Sequence, residues 1–225
     1  MRINKLLSIL ASAVLLLSGC ITIEEHYSFK KNGSGSMTYV IDMTEMGEMM
    51  KTFGDEMDEA GVEDEEGEDD SMDLGDVSFE EMLDTLNTLS GISKVSVNDK
   101  NEWIHKISFS FKDLDALNNA LNVLMNDKGK SVDHVFFRKD GNKIIRQHNE
   151  SAEDLGEEMS EEEDDMGILE SMKYKMTYSF KGKLKDVKGG TGSTTTMGAK
   201  TFELDTDFKN ISENEDALDL TFTFE

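Results

Sequence analysis

From Met172 to Lys185, large apolar side chains alternate with lysines. Met172, Tyr174, Met176, Tyr178, Phe180 and Leu184 occupy one set of positions, and Lys173, Lys175, Lys181, Lys183 and Lys185 the other. Successive side chains of a strand point to opposite faces, so this stretch predicts a long strand with an apolar face for a core and a cationic face for water. Such a strand is stable only within a sheet of several strands whose apolar side is covered. The rest of the chain must supply both.

Neighbouring strands are written in the same period. Ile21, Ile23, Tyr27 and Phe29 are apolar at odd positions, and the odd positions Met37, Tyr39, Ile41 and Met43 resume the pattern after Asn32-Gly33. An odd-length loop keeps odd positions opposite odd ones, which predicts a hairpin with one shared core face. A second hairpin is expected from Val95 and Val97 through a polar turn at Asn98 to Glu102 into Trp103, Ile107, Phe109 and Phe111. A third is expected around Asp140-Gly141-Asn142, and further strands at Phe202 to Leu204 and Leu218 to Phe224, with 189–196 as a flexible connector.

Helical spacing intervenes between these strands. Thr44 suits the cap of a helix carrying Met46, Met49, Met50 and Phe53 on one face. Ser78 and Glu81 have capping-box spacing ahead of Phe79, Met82, Leu83 and Leu86, with Gly91 as the stop. Asp113 precedes a stripe of Leu114, Leu117, Leu121 and Leu124.

Charge divides the chain further. Of its 48 acidic residues, thirteen fall in Asp55 to Asp76 and ten in Glu150 to Asp165, with no base in either run. Like charge at that density predicts two disordered acidic insertions, at 54–76 and 150–166, in a more evenly charged body. The expected fold is therefore a single α+β domain over residues 20–225. Its core is a large, curved, mainly antiparallel, hairpin-connected sheet of about eight or nine strands, carrying three or four helices. A net charge of −25 argues against nucleic acid as a partner.

Residues with catalytic potential do not assemble into a motif. His26, His105, His134 and His148 have no metal-ligand spacing, although His134 and His148 would face each other across a three-residue hairpin loop. No GxSxG or phosphate-cradling glycine loop is present, and the single cysteine is Cys20. The acidic runs invite calcium, but EF-hand spacing fails: with Gly67 in the sixth position, Val62 takes the first ligand position. No cofactor, metal or enzymatic activity is expected. An unrecognised hydrolase is kept only as an alternative. Fifteen methionines and the strand aromatics suggest an apolar cavity, with Tyr27, Tyr39, Trp103, Phe109, Tyr178 and Phe180 as candidate lining.

The first twenty residues resemble a bacterial lipoprotein signal. Arg2 and Lys5 precede an apolar run of twelve residues, Leu6 to Leu17, which ends in Leu17-Ser18-Gly19-Cys20. A membrane span needs roughly 20 apolar residues, so the run reads as a cleavable signal over 1–19. The resemblance to a lipobox implies that Cys20 becomes a diacylglyceryl- and acyl-modified first residue. That anchor implies attachment to a membrane of the cell envelope. Ile21 after the cysteine, in place of aspartate, resembles the pattern of outer-membrane lipoproteins. Beyond the lipobox, Lys31-Asn32-Gly33-Ser34-Gly35-Ser36 with Met37 to Val40, and the junction Phe109 to Leu117, resemble the LppM-type lipoprotein domain. That resemblance implies an envelope role with binding of a lipid or other hydrophobic ligand. The acidic runs add a second expectation, an interaction module that docks a protein partner in the envelope.

Overall fold

The computed structural model describes residues 21–49, 51–52, 79–125, 134–147 and 167–225. Cys20, His148 and both acidic runs lie outside the described residues, as do Ser78, Met50 and Phe53. Eleven described strands form two sheets rather than one. The larger contains β1 (Thr22–Phe29), β2 (Gly35–Asp42), β3 (Ile92–Asn101), β4 (Ile104–Phe111), β7 (Lys173–Phe180), β9 (Ser193–Met197) and β10 (Thr201–Asp207), in the order β3-β4-β2-β1-β7-β10-β9. The smaller contains β5 (Phe137–Asp140), β6 (Lys143–Arg146), β8 (Leu184–Gly189) and β11 (Leu220–Phe224), in the order β5-β6-β11-β8. The described helices with side chains in the core are α1 (Phe79–Thr88), α2 (Leu114–Leu124), α3 (Ile168–Ser171) and α4 (Phe208–Glu213).

The first hairpin has the register that odd-to-odd alternation requires. Tyr27 pairs with Met37, and Phe29 with Gly35. Gly35 is needed there because a Cβ would collide with the Ser28 carbonyl and the Phe111 ring. The second hairpin departs from expectation. Strand β3 runs on through Asn101, with irregular register at Ser93/Ser96 and Asn98/Asn101, so the turn falls at 102–103. The left-handed Lys94, φ 57°, lies within the first irregularity, as β-bulges allow.

The long strand expected to reach Leu184 ends at Phe180. Lys181-Gly182-Lys183 turns the chain out of the first sheet, and β8 joins the second beside β11. The expected connector at 189–196 contains most of an exposed edge strand, β9, paired with β10. All sheet pairings are antiparallel except β1 with β7, which run parallel and place Tyr27 beside Tyr178 and Phe29 beside Phe180.

The inner face of the larger sheet meets the smaller sheet through aromatic rings. Phe222 lies 4.7 Å from Tyr178 and 4.9 Å from Phe180, and Phe137 lies 5.1 Å from Tyr27, centroid to centroid. Beside the smaller sheet, α2 continues the cover. Its N-cap Asp113 accepts from the Ala116 N–H at 2.9 Å, and Leu117 and Leu121 are buried. Buried Asn118 docks α2 to the smaller sheet by bonding both the N–H and the carbonyl of Phe137. Asn122 does the same for His134.

Candidate functional site

A cavity of about 550 Å³ opens where the two sheets separate at one end of the domain. Its walls come from the ends of several elements: Phe29 of β1 and the loop after it, Leu114 at the start of α2, and Lys139 with Gly141 to Ile144 of the β5–β6 hairpin. The turn from Phe180 to Lys183, Lys200 ahead of β10, and Phe224-Glu225 at the end of β11 complete it. The floor is apolar. Phe29, Ile144 and Phe180 are buried, Leu114 and Phe224 half-buried, and the Phe180 and Phe224 rings lie 5.1 Å apart.

The rim is cationic. Lys30, Lys31, Lys139, Lys143, Lys181, Lys183 and Lys200 line the opening, all with exposed side chains. Its loops satisfy backbone groups within the protein: Lys181 N–H bonds the Phe29 carbonyl, Phe180 N–H the Lys200 carbonyl, and the Asn142 side chain the Phe224 carbonyl. The turns are thereby fixed, and the lysine side chains are left to face solvent. A two-residue β5–β6 loop, with Asp140 paired to Lys143, sets Lys139 and Lys143 on this rim. The loop has two residues rather than three, and the expected pairing of His134 with His148 falls on a residue outside the described ones.

A separate polar cluster lies buried between the sheets. Glu25 occupies an odd, core-facing position of β1 and is completely enclosed. Its carboxylate accepts from the Tyr174 hydroxyl at 2.7 Å, the Tyr27 hydroxyl at 2.9 Å and Arg146 Nη2 at 3.3 Å. Arg146, on β6 of the other sheet, also donates from Nη1 to the Leu218 carbonyl at 3.1 Å. The pair therefore joins the two sheets through one satisfied anion. Neither member lines the cavity.

Burial, and then the Glu25 charge, raise the Tyr27 and Tyr174 pKa values well above the usual phenol range. Tyr178 is raised by burial against an opposing effect of Arg146, and half-buried Tyr39 by burial and Glu25. These are all four tyrosines of the chain. A phenol whose folded pKa is raised stays protonated while the unfolded chain ionises near pH 10, so stability falls as pH rises above about 10. Tyrosinate absorbance at 295 nm should therefore remain absent until the protein unfolds and then appear in one step. Smooth ionisation centred near 10 with the fold retained would contradict the burial of these hydroxyls.

Of the six residues expected to line a cavity, Phe180 alone borders this one. Tyr27, Phe109, Tyr178 and Phe180 are brought together in a packed core, with Tyr27 and Tyr178 stacked at 5.0 Å. The Tyr27 and Tyr178 rings are covered by Phe137 and Phe222 of the second sheet, so they are filler rather than lining. Tyr39 is half-buried against that core. Trp103 is in the β3–β4 turn, over Gly47 of the helical stretch 44–49, with the Lys51 ammonium 5.8 Å from its ring. Thr44 opens that stretch, and its N–H and hydroxyl both donate to Asp42 Oδ1. Among the described residues, no three His, Cys, Asp or Glu side chains are grouped to hold a metal ion, and no helix is long and apolar enough to cross a membrane.

No family model and no curated protein matches the sequence. Among solved structures, the chain is similar to the folded domain of the Mycobacterium tuberculosis LppM protein, determined by NMR. The match covers 92% of this chain and 91% of that one, at 11% identity and a TM-score of 0.44.

Proposed function

We propose that this chain is a non-enzymatic envelope lipoprotein, anchored through Cys20, whose two-sheet domain binds a hydrophobic ligand in the cavity between the sheet ends. The observation that carries the reading is that cavity: about 550 Å³, with an apolar floor and a polar rim. Small-molecule sites commonly occupy about 300–1,000 Å³ and combine apolar walls with a few polar groups.

The anchor follows from Leu17-Ser18-Gly19-Cys20. Thr22 already pairs with Asp42 and Lys173, so the sheet begins two residues after the cysteine and sits close to the membrane that holds it. Ile21 in the position after the cysteine favours the outer membrane where the host has one. Two acyl chains anchor stably where one binds only marginally. Cys20→Ser should move the protein from the membrane fraction to the soluble fraction, whereas continued membrane association would defeat the anchoring role. Native mass spectrometry of gently extracted wild-type protein tests the binding role. A bound hydrophobic molecule is expected, and its loss is expected in Gly182→Leu, which fills the cavity.

A further inference from the structure

We infer that the cavity selects an anionic amphiphile, with an apolar tail against Phe29, Phe180 and Phe224 and a carboxylate or phosphate head among the rim lysines, at the end of the domain remote from Cys20. The inference rests on the cavity being the ligand site and adds the chemistry of the ligand.

Charge distribution is the first support. The chain has 48 acidic and 23 basic residues, yet the cavity lining holds seven lysines against one acid, Glu225. In so acidic a chain, surface lysines would ordinarily meet carboxylates. Away from the cavity they often do: Lys51, Lys112, Lys173, Lys188 and Lys209 each lie within 4 Å of an Asp or Glu oxygen. Among the described residues, the rim has one such pair, Lys183 with Glu225 at 3.5 Å. Among the described residues, the other six ammonium groups of the rim, all of like charge, have no carboxylate oxygen within 4 Å. A cleft lined by one sign of charge concentrates counter-ions, and an anion placed among these lysines would relieve the repulsion.

Continuity of the basic surface is the second support. Lys30 also borders a shallower cleft lined by Lys94, Lys112, Ser34, Ser93 and Ser110, with no acidic residue in its lining. Cationic and hydroxyl donors thus extend from the mouth of the apolar cavity across one end of the domain. This combination suits a charged head at the surface and a tail beneath it. A neutral lipid would leave the lysines unpartnered, and a small inorganic anion would leave the apolar floor uncovered.

Position is the third. Strand β1 starts beside the anchor at Thr22 and delivers Phe29 and Lys30 to the cavity. Eight strand residues span about 25 Å, so the mouth lies that far along the sheet from the lipidated end. The site is thus placed to receive amphiphile from solution or a carrier rather than from beneath the domain.

The test compares a dansyl-labelled eleven-carbon fatty acid with the corresponding uncharged alcohol, using wild-type protein, Lys139→Gln/Lys143→Gln/Lys181→Gln/Lys200→Gln and Gly182→Leu. Urea midpoints confirm that each variant folds. Wild-type protein should bind the acid about tenfold more tightly than the alcohol, with a preference that shrinks in high salt, and the four-lysine variant should bind the two alike. Gly182→Leu keeps every lysine but places a side chain where even a Cβ comes within 3.2 Å of Phe224, so it should lose both probes. Equal affinities in wild-type protein would overturn the anionic preference while leaving a hydrophobic site. Failure to bind either probe would overturn the ligand site itself. Binding to phosphatidylglycerol vesicles that survives Gly182→Leu, without probe uptake, would reassign the lysines to a membrane surface. Acid-selective binding gained only on deletion of 55–76 and 150–165 would reassign them to the chain's own acidic runs.

Discussion

Glu25→Ala is expected to destabilise the domain by about 3–5 kcal/mol, because it leaves the Arg146 charge buried without its counter-ion. The guanidinium is 3% exposed and would keep one bond, to the Leu218 carbonyl, while its Nε already lacks a partner. The Tyr27 and Tyr174 hydroxyls would lose their acceptor in the same step. Burial of polar groups without partners is what makes the substitution costly, rather than any large net gain from the ion pair itself. It follows that Glu25→Met combined with Arg146→Leu should recover much of the loss. Urea unfolding of the two single variants and the double variant measures this. A Glu25→Ala cost below about 1 kcal/mol would mean that water reaches Arg146 and that the sheets do not close over it.

Phe222→Ala is expected to cost about 3–5 kcal/mol as well, by a different route. Phe222 has no exposed surface and touches three rings on two strands of the facing sheet: Tyr178 and Phe180 of β7 and, at 5.7 Å, Phe202 of β10. Truncation removes the transfer energy of the ring and leaves a hole that neighbours held by two sheets cannot easily close. Thermal unfolding should shift down by roughly 10 °C for a domain of this size. Phe222→Leu should cost clearly less, since it refills part of the volume. Equal effects of the two substitutions would show that packing around the ring is loose.

Sequence periodicity captured what depends on neighbours along the chain. The odd-to-odd register of β1 and β2, the Asp113 cap with its buried leucines, and the α+β class were all legible. What it missed depends on distant partners. Phe180 and Leu184 have the same parity, so alternation continues across the turn at Lys181-Gly182-Lys183 and hides the passage from one sheet to the other. Parallel pairing of β1 with β7 joins segments about 150 positions apart, and no local signal encodes it.

The same distinction applies to the sites. Glu25 was visible as an acid in phase with core positions, but its partner Arg146 follows 121 residues later in a third hairpin. The lysine rim is drawn from separate turns, each with one or two lysines that look like ordinary solvated residues on their own. The strand aromatics were correctly assigned to a buried face. Ring-to-ring cover from the second sheet, which sequence spacing does not reveal, makes most of them core instead of cavity wall.

Amide chemical-shift mapping of the protein during titration with decanoate would locate the ligand directly. The cavity account predicts shifts at Lys31, Gly33, Gly141, Asn142, Lys181 and Gly182, with the Thr22 and Asp207 end undisturbed. Shifts centred on that opposite end, or none at saturating decanoate, would contradict it.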